Sequence, residues 1–320
     1  QEGNLSMVAN LNIPSCITDA KNSEIETLTA SNIIFQSTDG GQTWQDISAG
    51  LPMHMEADRF FANDNDIFLT SAHGLYHISS ANNDQVWKQQ TSPGVNIRDI
   101  FSTSSGLIGR TNTGATFQKM TNSAMWIPAY STLGEHSVEY VFESRKGTLF
   151  ATSRKGIYRS SDQGKSWKHV FDRGWVMEMT ESNGVLICAN ERGILRSTDE
   201  GEHWELVISE GGVGIDVQTL EDGFAAISYN DGMKVRRVRM SSDGGQTWQS
   251  IDGGGLEPSL SIASITQVGE YLFCGHPDGI FRSSDQGKSW KLILPSIDKK
   301  VYNLSVSGGV LYAIPKNGGC

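Results

Sequence analysis

The stretch SSDQGKSW stands at residues 160–167 and again, unchanged, at 283–290. Close variants are STDGGQTW at 37–44, STDEGEHW at 197–204 and SSDGGQTW at 241–248. Their closing tryptophans Trp167, Trp204, Trp248 and Trp290 follow one another at intervals of 37, 44 and 42 residues. Trp44 lies 123 residues before Trp167, and Trp87 and Trp126 divide that gap into steps of 43, 39 and 41. Seven tryptophans therefore mark seven repeats of about forty residues, a constraint stronger than any other in the chain.

The repeat extends beyond the motif. GTLFATSRKGIYRSSDQGKSW (147–167), GVLICANERGILRSTDEGEHW (184–204) and GEYLFCGHPDGIFRSSDQGKSW (269–290) share one plan. An apolar run leads to a polar turn ending in Gly, then come a second apolar run, the motif and a third run. Upstream of each lies another alternating stretch, VEYVFES, VMEMTES or SIASITQ. Four short strands per repeat predict an all-β, seven-bladed β-propeller with four-stranded blades. The chain ends in VYNLSVSGGVLYAIPKNGGC, the first two strands of a blade, and its start supplies NIIFQSTDGGQTWQDIS, the last two. A blade shared by both termini, pairing residues 33–35 with 310–314, closes the ring and leaves no open propeller edge. One domain over residues 1–320 is expected, with 1–32 as a lead-in segment.

In this frame the motif falls on the turn between third and fourth strands. Its carboxylate (Asp39, Asp162, Asp199, Asp243, Asp285) accepts backbone N–H groups, as in an Asx-turn. Its glycine (Gly41, Gly164, Gly201, Gly245, Gly287) supplies a positive φ, and its tryptophan (Trp44, Trp167, Trp204, Trp248, Trp290) buries apolar area. Copies spread around a ring cannot converge on one substrate, and each offers a single carboxylate, too few for a metal. The motif reads as a joint.

These residues resemble Asp-box, or bacterial neuraminidase, repeats. The families that carry them include sialidases, sortilin-type receptors, xyloglucan-processing glycoside hydrolases and the photosystem II assembly/stability factor group. The resemblance implies the propeller and a structural box. In size and single-domain organisation the chain is most similar to the photosystem II factor group, whose propellers dock on protein partners. It departs from the sialidase pattern: residues 1–36 hold no arginine, and Arg159, Arg196 and Arg282 occupy a repeating strand slot.

Net charge is −10 in 320 residues, so nucleic acid is not an expected partner. No apolar run approaches the ~18 residues of a membrane span. The chain begins at Gln1 rather than Met, through signal cleavage or the choice of expressed segment; the former gives the expectation of an exported protein. No cofactor or metal is expected, and a monomer is. Cys188 and Cys274 sit in apolar runs as small buried residues, while Cys16 and Cys320 are either a disulfide across the ring closure or two free thiols.

The expected function is a non-catalytic exported binding or assembly module for a protein or carbohydrate partner, with a sialidase-like or xyloglucanase-like glycoside hydrolase as the alternative. For binding, the face opposite the boxes places Arg154 and Lys155, Arg173 and Trp175, and Arg192 in adjacent repeats. Trp175 is the one tryptophan outside the sevenfold series. For catalysis the candidates are inner-strand acids, Glu139, Glu178 and Asp216 with Asp99, whose simpler reading is solvated pore-facing charge.

Overall fold

The computed structural model describes residues 30–63, 66–79, 86–90, 95–120, 123, 125–130, 133 and 137–317. Within them 28 strands form seven four-stranded antiparallel sheets, and no α-helix occurs among the described residues. Blades 1 to 6 occupy residues 57–90, 97–129, 140–171, 176–208, 211–250 and 264–295. In each of these, strands pair in chain order from the pore outward. Blade 7 combines Val301–Ser307 and Val310–Lys316 with Phe35–Ser37 and Gln45–Asp46. Phe35 pairs Ala313, Gln36 pairs Tyr312 and Ser37 pairs Leu311, so the ring closes between the two ends of the chain as their complementary half-blades require. Cys16 and Cys320 lie outside the described residues, as does nearly all of the lead-in segment.

The core lies between blades. Second strands such as Leu149–Ser153 are buried throughout, because a neighbouring sheet covers each face, and they read as continuous apolar runs. Phe150 and Ile157 of blade 3 pack with Val176, Leu186 and Cys188 of blade 4. Ile34, Tyr312 and Ile314 of the closing blade pack with Leu69, Tyr76 and Ile78 of blade 1. Fourth strands, at the rim, are mostly exposed, as in Lys168–Phe171. Cys188 and Cys274 are free and buried, and burial pushes both thiols up.

Five boxes share one geometry. The first serine hydroxyl donates to the aspartate Oδ1 at 2.7–2.9 Å. The glycine N–H donates to that same serine oxygen at 2.8–3.0 Å. Oδ1 also accepts the N–H four residues on, at 2.8–3.0 Å. Oδ2 contacts the side chain there, Thr43, Ser166, His203, Thr247 or Ser289, at 2.5–2.6 Å. Four of the tryptophans donate Nε1 to the glycine carbonyl at 3.1–3.2 Å.

Two successive residues of each box are left-handed, not the glycine alone: Glu200 has φ 58° and Gly201 φ 75°. A Cβ at Gly201 would lie 2.3 Å from the Phe150 ring of the preceding blade, so conformation and close approach both demand glycine. The repeating arginines bind the next blade's box. Arg159 Nε donates to Glu200 O at 2.8 Å, Arg196 Nε to Gly244 O at 2.7 Å, and Arg282 Nη1 to Gly40 O at 2.9 Å. The last of these spans the ring closure.

Candidate functional site

First and second strands meet in hairpins on the face that carries the boxes, so second-to-third hairpins and blade-to-blade connections emerge on the other face. That box-free face gathers the pore's charge. Inner strands of four blades carry a register shift near their start, between Ala57 and Arg59, Ile97 and Asp99, Val176 and Glu178, and Gly214 and Asp216. A β-bulge re-aims the side chain that follows it. Here it brings Arg59, Asp99, Glu178 and Asp216 to the walls of two adjoining pore hollows of ≈ 400 and ≈ 330 Å³.

The acids face the pore but are not the freely solvated charge that the simpler sequence reading expects. Asp99 and Asp216 are buried and Glu178 is half-buried. Gln218 Nε2 donates to Glu178 Oε1 and to Asp216 Oδ1 at 3.2 Å each, linking the carboxyls of blades 4 and 5. Asp216 Oδ2 also accepts the Ile265 N–H at 2.8 Å. Burial, then the neighbouring Asp216 charge, holds the Glu178 carboxyl well above the usual range. Burial raises Asp216 too, against the contacts with Glu178 and Ile265. Asp99 sits 3.6 Å from both Arg59 and Arg110, and burial raises it against their charges. Glu139, just before the inner strand of blade 3, pairs with Arg154 at 3.3 Å.

Of the proposed binding residues, the structure brings Arg154 and Trp175 together. They line a surface hollow of ≈ 370 Å³ with Glu139 and Glu191. Trp175 is 36 % exposed, and its carbonyl accepts the Glu191 N–H at 3.1 Å and Asn190 Nδ2 at 2.8 Å. The Glu191 side chain lies over Gly174, where a Cβ would come within 2.3 Å of it. Lys155, Arg173 and Arg192 are exposed on the same face but do not line this hollow; Arg173 lies 3.8 Å from Asp172. Glu139 lines both the Trp175 hollow and the pore hollow, which makes the two neighbours.

Arg59 and Lys316 carry no repeat signal, and the sequence reading passed over both. Lys316 ends the second strand of blade 7, facing the ≈ 400 Å³ pore hollow and a ≈ 620 Å³ hollow at the seam with blade 1. Only ring closure places it beside Arg59. Among the described residues no group of three His, Cys, Asp or Glu is placed to hold a metal ion, and no helix is long and apolar enough to cross a membrane.

The BNR-Asp box repeat model matches residues 157–170 and 280–293. A sequence comparison with curated proteins returns no match. Solved structures share the fold. An ancestral GH74 enzyme superposes with a TM-score of 0.61 at 14 % identity, over 88 % of this chain and 45 % of its own. The extracellular domain of a one-component system from B. thetaiotaomicron gives 0.60 at 15 % identity, over 81 % and 40 %. YCF48 bound to D1 peptide gives 0.57 at 14 % identity, over 85 % and 95 %. The chain thus spans less than half the length of the first two and nearly all of the third, and such identities speak for the fold alone. Enzyme and peptide-bound protein alike use this architecture, so function has to be read from the site. The repeats, their geometry and these likenesses agree: the chain is a seven-bladed β-propeller built on BNR/Asp-box repeats.

Proposed function

We propose that the chain is a single-domain, non-catalytic, exported module that binds a protein or glycan chain on the face opposite its Asp boxes. Trp175 carries this reading. It is the one tryptophan free of the repeat, it is exposed, and two hydrogen bonds fix its carbonyl. Arg154, Glu139 and Glu191 surround it with planar donors and acceptors. A rigid aromatic among such groups gives a sugar ring or a peptide side chain apolar area at small entropy cost. The extracellular domain among the structural neighbours supports export, and the peptide-bound one supports binding.

A glycoside hydrolase is the second reading, favoured by the pore acids and by the GH74 likeness. The Glu178–Asp216 contact weighs against it. Both carboxyls are taken up by the fold's own hydrogen bonds: Gln218 Nε2 donates to each at 3.2 Å, and Asp216 Oδ2 accepts the Ile265 N–H at 2.8 Å.

Glycan and peptide arrays probed with the wild type and Trp175→Ala test the proposal. A defined set of ligands should bind, with at least about tenfold loss in the variant, as for a central aromatic anchor. Turnover of sialosides or β-glucans that Glu178→Gln abolishes would replace the proposal with the hydrolase.

A further inference from the structure

The box-free mouth of the pore brings two cations, Arg59 and Lys316, to one hollow. The Arg59 side chain is 64 % exposed, and its carboxylate partner Asp99, at 3.6 Å, is shared with Arg110. Lys316 Nζ donates to the backbone carbonyl of Asp58, whose carboxylate is taken by Arg98 at 2.9 Å. Both cations line the ≈ 400 Å³ hollow, where Asn303 also faces them. Glu178 and Asp216 line the same hollow, bridged by Gln218 Nε2 at 3.2 Å from each, and Asp216 Oδ2 is bound by the Ile265 N–H. On the seam side stand His54, Glu56, Asp298 and Lys300. Burial, then the Arg59 charge, lowers Lys316 to about 8, against the pull of Asp58 and Asp99. An ammonium in that position is poised to gain from an added anion.

We propose that this hollow is an oxyanion site, in which Arg59 and Lys316 grip a carboxylate, sulfate or phosphate group and Asn303 hydrogen-bonds to the ligand. Arginine supplies a planar fork and lysine a point charge, a pairing suited to any of the three groups. The site lies apart from the Trp175 hollow and does not depend on it. An anion seated beside Lys316 favours its charged form, so binding raises the lysine pKa. Affinity then falls as pH rises through about 8, where the free site loses its proton.

The test is a titration of protein carrying 13C-labelled lysine with sodium sulfate, phosphate or acetate, at constant ionic strength balanced by chloride. The Lys316 Cε signal is assigned through Lys316→Met. A saturable shift with an upward move of the Lys316 pKa is expected. Loss of one charged partner should weaken binding at least about tenfold in Arg59→Met. Lys316→Arg should retain binding, and Trp175→Ala should leave it unchanged. A response to acetate alone assigns a carboxylate ligand, and one to sulfate and phosphate assigns a tetrahedral anion; either supports the site. A Lys316 that responds to none of the three beyond chloride overturns the proposal, as does Arg59→Met binding as tightly as the wild type. The wild-type titration decides even where a variant folds poorly.

Discussion

At the scale of single residues, the box divides its work differently from what the letter pattern suggests. Serine and aspartate recur in all five copies, yet the aspartate is only half-buried in three of them and exposed in two. Each box's first serine is buried, and its hydroxyl relays between the aspartate and the glycine N–H. Ser283→Ala strands a buried N–H, which should cost about 1–3 kcal/mol of unfolding free energy, read from the denaturant midpoint. The carboxylates report through pH. Asp39, Asp162, Asp243 and Asp285 are lowered to about 2, chiefly by the hydroxyl four residues on and then by its N–H. At Asp199 burial opposes the shift, but the His203 N–H and ring carry it to about 2 as well. A carboxylate with a depressed folded pKa stabilises above its unfolded value and loses that contribution as pH falls through the folded one. Melting temperature should therefore fall as pH drops from the ordinary aspartate value of about 3.9 to about 2. An Asp285→Asn variant should show a shallower fall over that interval.

At the scale of elements, blades are held by packing and by clasps. Arg159, Arg196 and Arg282 each bond a left-handed carbonyl in the following blade's box, tying blade 3 to 4, blade 4 to 5 and blade 6 to 7. The Arg196 side chain is 12 % exposed and also meets Glu205 at 2.5 Å. Removing it in Arg196→Met should cost about 1.5–3 kcal/mol, the range for charge-assisted hydrogen bonds, measured by chemical denaturation. On the pore side the Glu178–Asp216 pair acts in the opposite sense. An acid whose pKa is raised in the fold holds its proton there and loses it on unfolding, so stability declines as pH rises from the ordinary carboxylate range towards the raised value. Glu178→Gln keeps a donor towards Asp216 without a titrating proton. Its melting temperature should stay level where that of the wild type falls.

At the scale of the whole molecule, what was legible in the sequence is what repeats. Seven tryptophans gave the blade count, and complementary half-blades at the two ends gave the closure seen between Phe35 and Ala313. Each blade writes its own turn chemistry locally, so the signal recurs at a readable interval. The pore does not work that way. Arg59, Asp99, Glu178, Asp216 and Lys316 come from blades 1, 2, 4, 5 and 7, and only ring closure and strand bulges bring them together. The arginine slot was visible as a repeat, but its partner lies in the next blade, outside any window of sequence. Loop charges were read from position alone, which placed Arg154 at the Trp175 hollow but also weighted Arg173 and Arg192, which do not line it.

The boxes build the ring, and the proposed function assigns binding to the box-free face. Measuring ligand affinity and melting temperature together for Trp175→Ala and Ser283→Ala, on a ligand identified by array, tests that division most directly. Trp175→Ala should lose binding with its melting temperature unchanged, and Ser283→Ala should melt lower while binding as tightly as the wild type when folded. The reverse pattern, binding lost at full stability in Ser283→Ala and retained in Trp175→Ala, would contradict it.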